Sequence, residues 1–188
     1  SVNALRLTFT NWNADGNADY IASWDGAAYA ALTTGMSASV SALAVSKDNI
    51  LYVGGTFATA GGVAAQRIAQ WDGSAWAAVG GSFDGNVNAL EVNPFSGELY
   101  AGGAFTQNFA TTETYNYVAR WTGAEWRDME GGLDSTVYEL RCGPDGILYV
   151  GGNFTTAGGI PLADGVALWN GETWAHSDIN LPAATSVY

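Results

Sequence analysis

The sequence is short of positive charge. It has 6 basic residues against 18 acidic ones, Lys47 is its single lysine, and the formal net charge is −12. Such a surface repels phosphates, so neither nucleic acid nor an anionic membrane is expected as a partner. Its one cysteine, Cys142, cannot form a disulfide within the chain and leaves the redox compartment open. The one histidine, His176, would have to serve any histidine-dependent metal centre or Ser-His-Asp triad of this chain. It sits in Ala175-His-Ser-Asp178 with nothing around it to support either role, which reads as a solvated edge. No uninterrupted apolar run approaches the length that a helix needs to cross a bilayer, so no membrane-inserted helix is expected. Ser1-Val2-Asn3 carries neither an initiator Met nor a signal-peptide pattern, which suggests a piece of something longer.

Glycine and tryptophan are abundant, at 25 and 8 residues, and both are placed periodically. Asn49-Ile-Leu-Tyr-Val-Gly-Gly-Thr-Phe57 precedes Ile68-Ala-Gln-Trp-Asp-Gly-Ser-Ala-Trp76. The pair returns as Leu99-Tyr-Ala-Gly-Gly-Ala-Phe105 with Val118-Ala-Arg-Trp-Thr-Gly-Ala-Glu-Trp126, and as Leu148-Tyr-Val-Gly-Gly-Asn-Phe154 with Val166-Ala-Leu-Trp-Asn-Gly-Glu-Thr-Trp174. A further copy of the second half, Ile21-Ala-Ser-Trp-Asp-Gly-Ala-Ala-Tyr29, ends in Tyr instead of Trp. The first Trp of each copy falls at 24, 71, 121 and 169, giving successive steps of 47, 50 and 48. A period of that size marks stacked or radially arranged sheets. The 48% hydrophobic content is enough for a packed core.

Each complete unit reads as four short strands. Ser39-Val-Ser-Ala-Leu-Ala-Val45, Asn86-Val-Asn-Ala-Leu-Glu-Val92 and Thr136-Val-Tyr-Glu-Leu-Arg-Cys142 alternate apolar with small or polar residues, as half-buried strands do. Turns follow at Lys47-Asp48-Asn49, Pro94-Phe-Ser-Gly97 and Pro144-Asp-Gly146. The second strand runs into Gly-Gly, where the missing Cβ permits close backbone approach or a positive φ. Loops 56–66, 104–116 and 153–165 vary in length and sequence. The third strand carries the first Trp. Asp25-Gly26, Asp72-Gly73, Thr122-Gly123 and Asn170-Gly171 then occupy the place of a type I′-like hairpin turn, and the fourth strand carries Tyr29, Trp76, Trp126 or Trp174. The units span about 1–35, 36–82, 83–132 and 133–182 of a single domain, 1–188.

The chain ends do not fill whole units. Ser1-Val-Asn-Ala-Leu-Arg-Leu7 matches the first strand, yet Trp24 follows Ser1 more closely than Trp71 follows Ser39, so about one strand is absent. At the other end 183–188 begins a further strand, with Val187 lying one repeat length beyond Val137.

Four antiparallel strands per unit describe a propeller blade, and the expected fold class is all-β: a β-propeller of about four blades of four-stranded antiparallel sheet. It closes as an irregular ring or, on the favoured reading, belongs to a larger one. The order of double glycine, aromatic strand, turn and Trp over residues 36–182 resembles the Kelch family of β-propellers, with Trp where the Kelch repeat has Tyr before the turn. Seven of the eight tryptophans, all but Trp12, are then expected to fill space between blades.

The shortened first unit contains Asn11-Trp-Asn-Ala-Asp-Gly-Asn-Ala-Asp19. Oxygen side chains at 11, 13 and 15, glycine at 16 and a carboxylate at 19 form a candidate loop around a hard cation such as Ca²⁺. The loop resembles the calcium loop of integrin-type FG-GAP repeats. That resemblance implies side-chain oxygens from Asn11, Asn13, Asp15 and Asp19 and a backbone carbonyl from Asn17. Having Asn11 where that pattern has Asp leaves two carboxylates and implies a weak site. The plain alternative is a metal-free turn held by Asn and Asp hydrogen bonds.

Nothing points to catalysis. Cys142 aligns with Val45 and Val92 and reads as a small core residue. Glu113, Glu130, Asp134 and Glu139 have no spacing that pairs them for glycosidase chemistry. The favoured function is a non-enzymatic interaction or structural module of a secreted, cell-surface or virion protein, binding a protein partner or assembling with itself through the variable loops. The alternative is a carbohydrate-binding propeller using Trp12, Tyr115 or Tyr117 as a stacking platform, and behind it a fragment of a propeller enzyme. Loop 104–116 departs furthest from the repeat and is the first place to look for a partner.

Overall fold

A computed structural model describes residues 20–109, 111, 113–161 and 165–176. The candidate calcium loop, with Asn11, Asn13, Asp15, Asn17 and Asp19, lies outside them, as do Trp12 and both end segments matched to a first strand. Among the described residues every regular element is a strand. In chain order these are β1 (Ala22–Trp24), β2 (Tyr29–Ala31), β3 (Val40–Val45), β4 (Leu51–Gly55), β5 (Thr59–Ala60), β6 (Val63–Ala64), β7 (Ile68–Trp71), β8 (Trp76–Ala78) and β9 (Val87–Val92). There follow β10 (Leu99–Gly103), β11 (Val118–Trp121), β12 (Trp126–Arg127), β13 (Val137–Cys142), β14 (Leu148–Gly152), β15 (Thr156–Ala157), β16 (Ile160–Pro161), β17 (Val166–Trp169) and β18 (Trp174–His176).

They assemble into three four-stranded antiparallel meanders, β3-β4-β7-β8, β9-β10-β11-β12 and β13-β14-β17-β18, preceded by the hairpin β1-β2. The register is the same in all three. Trp71, Trp121 and Trp169 sit opposite Leu51, Leu99 and Leu148, and opposite Trp76, Trp126 and Trp174. The ring centroids of each Trp pair are 5.2, 5.5 and 5.1 Å apart. In each sheet the register shifts by one residue beside the glycine pair, leaving Ser41, Asn88 or Tyr138 as the extra residue of a β-bulge.

That bulge explains the Gly-Gly signature. None of Gly54, Gly55, Gly102 and Gly103 has a positive φ, so close approach is the operative reason. A Cβ on Gly55, Gly103 or Gly152 would overlap the carbonyl oxygen of Ser39, Asn86 or Thr136, the residue just before the neighbouring strand. A Cβ on Gly54 or Gly102 would overlap Val87 or Val137 of the next sheet.

The Asp-Gly turns differ from the expected two-residue type I′ form. Four residues separate the paired aromatics, as between Trp71 and Trp76, and the left-handed conformation falls on the glycine alone, at φ 99° for Gly73. The polar side chain before it bends the chain instead. Asp72 Oδ1 accepts from the backbone N–H of Ser74 at 2.7 Å and Ala75 at 2.8 Å, and Asp25 and Asn170 do the same. These hydrogen bonds hold the Asp25 and Asp72 carboxyls below the usual carboxylate pKa.

Successive sheets meet in one repeated way. β9 lies against β3 and β4, and β13 against β9 and β10. Apolar clusters fill the spaces between them: Ala42 and Ile68 of one sheet pack with Val79, Val87 and Leu90 around the next, and Ala89, Tyr100 and Val118 pack with Val137 and Leu140. Burying each large side chain is worth about 1.5–3 kcal/mol, so the interfaces between sheets carry the core.

Candidate functional site

The variable loops are rooted by a device whose residues recur at the repeat spacing. Just before each first strand comes a buried apolar residue, Met36, Phe83 or Leu133, followed by Ser37, Asp84 or Asp134. The apolar residue bridges to the loop, as in Met36↔Ala60, Phe83↔Asn108 and Leu133↔Ala157. The polar residue clamps the loop backbone. Asp84 Oδ1 accepts from Thr106 N at 2.7 Å and Gln107 N at 3.0 Å, and its Oδ2 from the Thr106 hydroxyl at 2.7 Å. Asp134 holds Thr155 and Thr156 in the same pattern, and Ser37 Oγ accepts from Ala58 and Thr59. Partial burial pushes the Asp84 and Asp134 carboxyls up, but these hydrogen bonds outweigh it and leave both below the usual carboxylate range.

Each loop closes at its far end through a residue in the left-handed region, Arg67, Tyr117 or Gly165. The carbonyl oxygens of these three accept from Gly55, Gly103 and Gly152 at 2.9–3.0 Å. Beneath each loop a phenylalanine, Phe57, Phe105 or Phe154, is buried. Each loop is thus pinned at root, base and end, and its described residues include an exposed apolar side chain: Val63, Phe109 at 61% exposure, or Ile160.

The residues singled out in the sequence separate clearly. In loop 104–116, Tyr115 is 1% exposed. Its hydroxyl donates to Glu113 Oε2 at 2.6 Å, and burial, with that hydrogen bond adding to it, pushes its pKa up to about 12. A ring so enclosed cannot stack on a sugar. Tyr117 is half-buried against the core at φ 70°, and the exposed aromatic of the loop is Phe109. Beside the loop, Glu113, Tyr115, Arg120, Trp126, Asp128 and Glu130 line an open cleft of about 440 Å³.

Of the four carboxylates considered for catalysis, Glu113 holds Tyr115, Asp134 roots a loop, and Glu139 pairs with Arg141 at 3.1 Å, while Glu130 is exposed at φ 50°. His176 is exposed at the end of β18. Cys142 is half-buried, and burial pushes its thiol up to about 11. Among the described residues no group of three or more His, Cys, Asp and Glu side chains is placed to hold a metal ion.

The sequence reading missed the loop roots, although Ser37, Asp84 and Asp134 recur at steps of 47 and 50. It also missed the polar ties between sheets. Asn88 Nδ2 donates to Val137 O at 2.9 Å, Asn93 Nδ2 to Gly146 O at 3.2 Å, and Arg67 to Asn86 Oδ1 at 3.1 Å. No protein-family model and no curated protein matches the chain.

Proposed function

We propose that the three sheets are consecutive blades of a Kelch-like β-propeller, and that the protein is a non-enzymatic interaction module of a secreted, cell-surface or virion-associated assembly. Its partner is a protein, or a further copy of itself, met through loops 56–66, 104–116 and 153–165. Support for the blade reading comes from the meander order, the shared register and the repeated packing of each first strand on the sheet before it. The observation that carries the function is the contrast within each loop: roots fixed by Ser37, Asp84 and Asp134 in loops that expose Val63, Phe109 and Ile160. Rigid scaffolds that display loops are suited to recognition, and exposed apolar groups are what a partner would cover. The burial of Tyr115 weighs against a sugar-stacking role for that residue.

The triple variant Val63→Ser, Phe109→Ser and Ile160→Ser tests it. Sedimentation velocity for self-association, and capture of partners from extracellular extracts, should both be weakened with the melting temperature unchanged. Binding equal to wild type would reject the loop face, and glycan-array binding by wild type would favour the lectin reading. Calcium at Asn11, Asn13, Asp15, Asn17 and Asp19 belongs to the same proposal as a structural ion of the first unit. A melt raised by Ca²⁺ and lowered by chelator, with Asp15→Ala abolishing the difference, is the expected result; identical melts would dismiss it.

A further inference from the structure

Among the described residues, the third sheet leaves open a face that the first two bury more fully. In the first two sheets, the glycine that follows the second strand's apolar run receives a valine from the next sheet: Gly54 faces Val87 and Gly102 faces Val137. Their pairing partners Ile68 and Val118 are fully buried, Tyr100 is 1% exposed and Tyr52 is half-buried. In the third sheet the same register positions are Gly151, Val166 and Tyr149. Gly151 and Val166 are only half-buried and Tyr149 is 39% exposed. With Glu139, Arg141 and Val150 they line an open groove of about 170 Å³ whose walls are almost wholly apolar.

We propose that this groove is the seat of Val187, so that the chain's own segment 185–188 lies on the third sheet as β9 lies on the first and β13 on the second. The segment is outside the described residues, and sequence spacing identifies it. The interval from the fourth-strand aromatic of one unit to the first-strand valine of the next is identical in three cases: Tyr29 to Val40, Trp76 to Val87 and Trp126 to Val137. Trp174 to Val187 exceeds it by two positions, long enough for the same path. The surroundings match too, Ser186-Val187-Tyr188 repeating the pattern of Thr136-Val137-Tyr138. Val187 is β-branched, like the two valines already seated on glycine, and a neighbour without Cβ gives such a side chain room. The proposal rests on the contact between sheets, observed twice, and is independent of any partner at the loops.

Disulfide trapping tests it. An ideal Cβ on Gly102 lies 3.0 Å from Val137 Cβ and one on Gly54 lies 3.2 Å from Val87 Cβ, within a small shift of the roughly 3.8 Å spanned by a disulfide. With Cys142 replaced by serine, Gly151→Cys with Val187→Cys should oxidise to an intramolecular bridge, as should the control pair Gly102→Cys with Val137→Cys. Intact mass under non-reducing conditions reads both. Three outcomes would overturn the proposal: free thiols at 151 and 187 while the control bridges, a covalent dimer, or preferential bridging of Gly151→Cys to Val2→Cys. Val187→Asp in the otherwise unchanged chain provides a second reading if the cysteine variants do not fold. Amides of β14 and β17 should exchange at least tenfold faster with those of β4 and β7 unchanged, whereas unaltered β14 and β17 exchange also overturns it.

Discussion

The indole N–H of Trp126 donates a 2.8 Å hydrogen bond to the carbonyl of Val79, just past β8, the last strand of the preceding sheet. Trp76 reaches Leu32 O at 3.0 Å and Trp174 reaches Met129 O at 2.6 Å from the same register position. The fourth-strand Trp of each of these sheets is therefore tied to the end of the sheet before it, and its ring is buried in the join.

Trp126→Phe keeps most of the buried ring area but strands the Val79 carbonyl, and an unsatisfied buried acceptor costs about 1–3 kcal/mol. Trp126→Ala adds a cavity and should cost about 3–5 kcal/mol. Urea unfolding should rank them in that order. Equal losses would mean that the packing of the ring contributes nothing beyond the hydrogen bond.

Gly102→Ala drives a methyl group into Val137, and overpacking of this kind costs about 1–3 kcal/mol. Val137→Ala opens the space that the new methyl needs. The double variant should be more stable than the sum of the single losses predicts, with a coupling of about 0.5–3 kcal/mol. Strict additivity in denaturant melts would remove the contact from the account.

Asp84 and Asp134 have folded-state pKa values below the ordinary 3.8 of a free aspartate. A depressed folded pKa adds stability above the unfolded value, and that stability is lost as pH falls through the folded one. Asp84→Asn with Asp134→Asn should therefore lower the melting temperature at neutral pH, and the gap from wild type should close on acidification below pH 3.8. A gap independent of pH would show that the carboxylate charge is immaterial to the loop roots.

Cys142, with its thiol pushed up to about 11, should react slowly with a maleimide at mildly alkaline pH. Its thiolate fraction there is roughly a hundredfold below that of an ordinary cysteine. Labelling should accelerate to the ordinary rate in denaturant; rapid labelling of the folded protein would contradict the burial.

Strand content and unit length are legible in the sequence because their causes are local. Alternation along Leu90-Glu91-Val92 or Leu140-Arg141-Cys142 is a property of neighbouring residues, and so is the glycine punctuation. The turns are half legible: Asp72-Gly73 marks a reversal, but a four-residue loop rather than a two-residue one depends on which strand residues pair. Loop 104–116 stands out as the largest departure from the repeat. The burial of Tyr115 is hidden, because it follows from the loop folding back over Phe83, whose ring centroid lies 6.2 Å from that of Tyr115.

By itself the amino-acid order determined that the chain forms short antiparallel strands in units that recur at steps of 47, 50 and 48, punctuated by Gly-Gly and Trp, since period-two patterning and turn chemistry act between near neighbours. Tertiary structure decided the rest. In the second and third sheets, Trp126 and Trp174 are tied to the sheet before, Gly102, Gly103 and Gly152 are required for close approach instead of a left-handed φ, and Asp84 and Asp134 clamp the loops. Those roles depend on atoms far apart in sequence, as Trp126 is from Val79 and Asp84 from Thr106, being brought within hydrogen-bond or van der Waals distance. Only the packing of one sheet on the next, or of a loop on its root, achieves that.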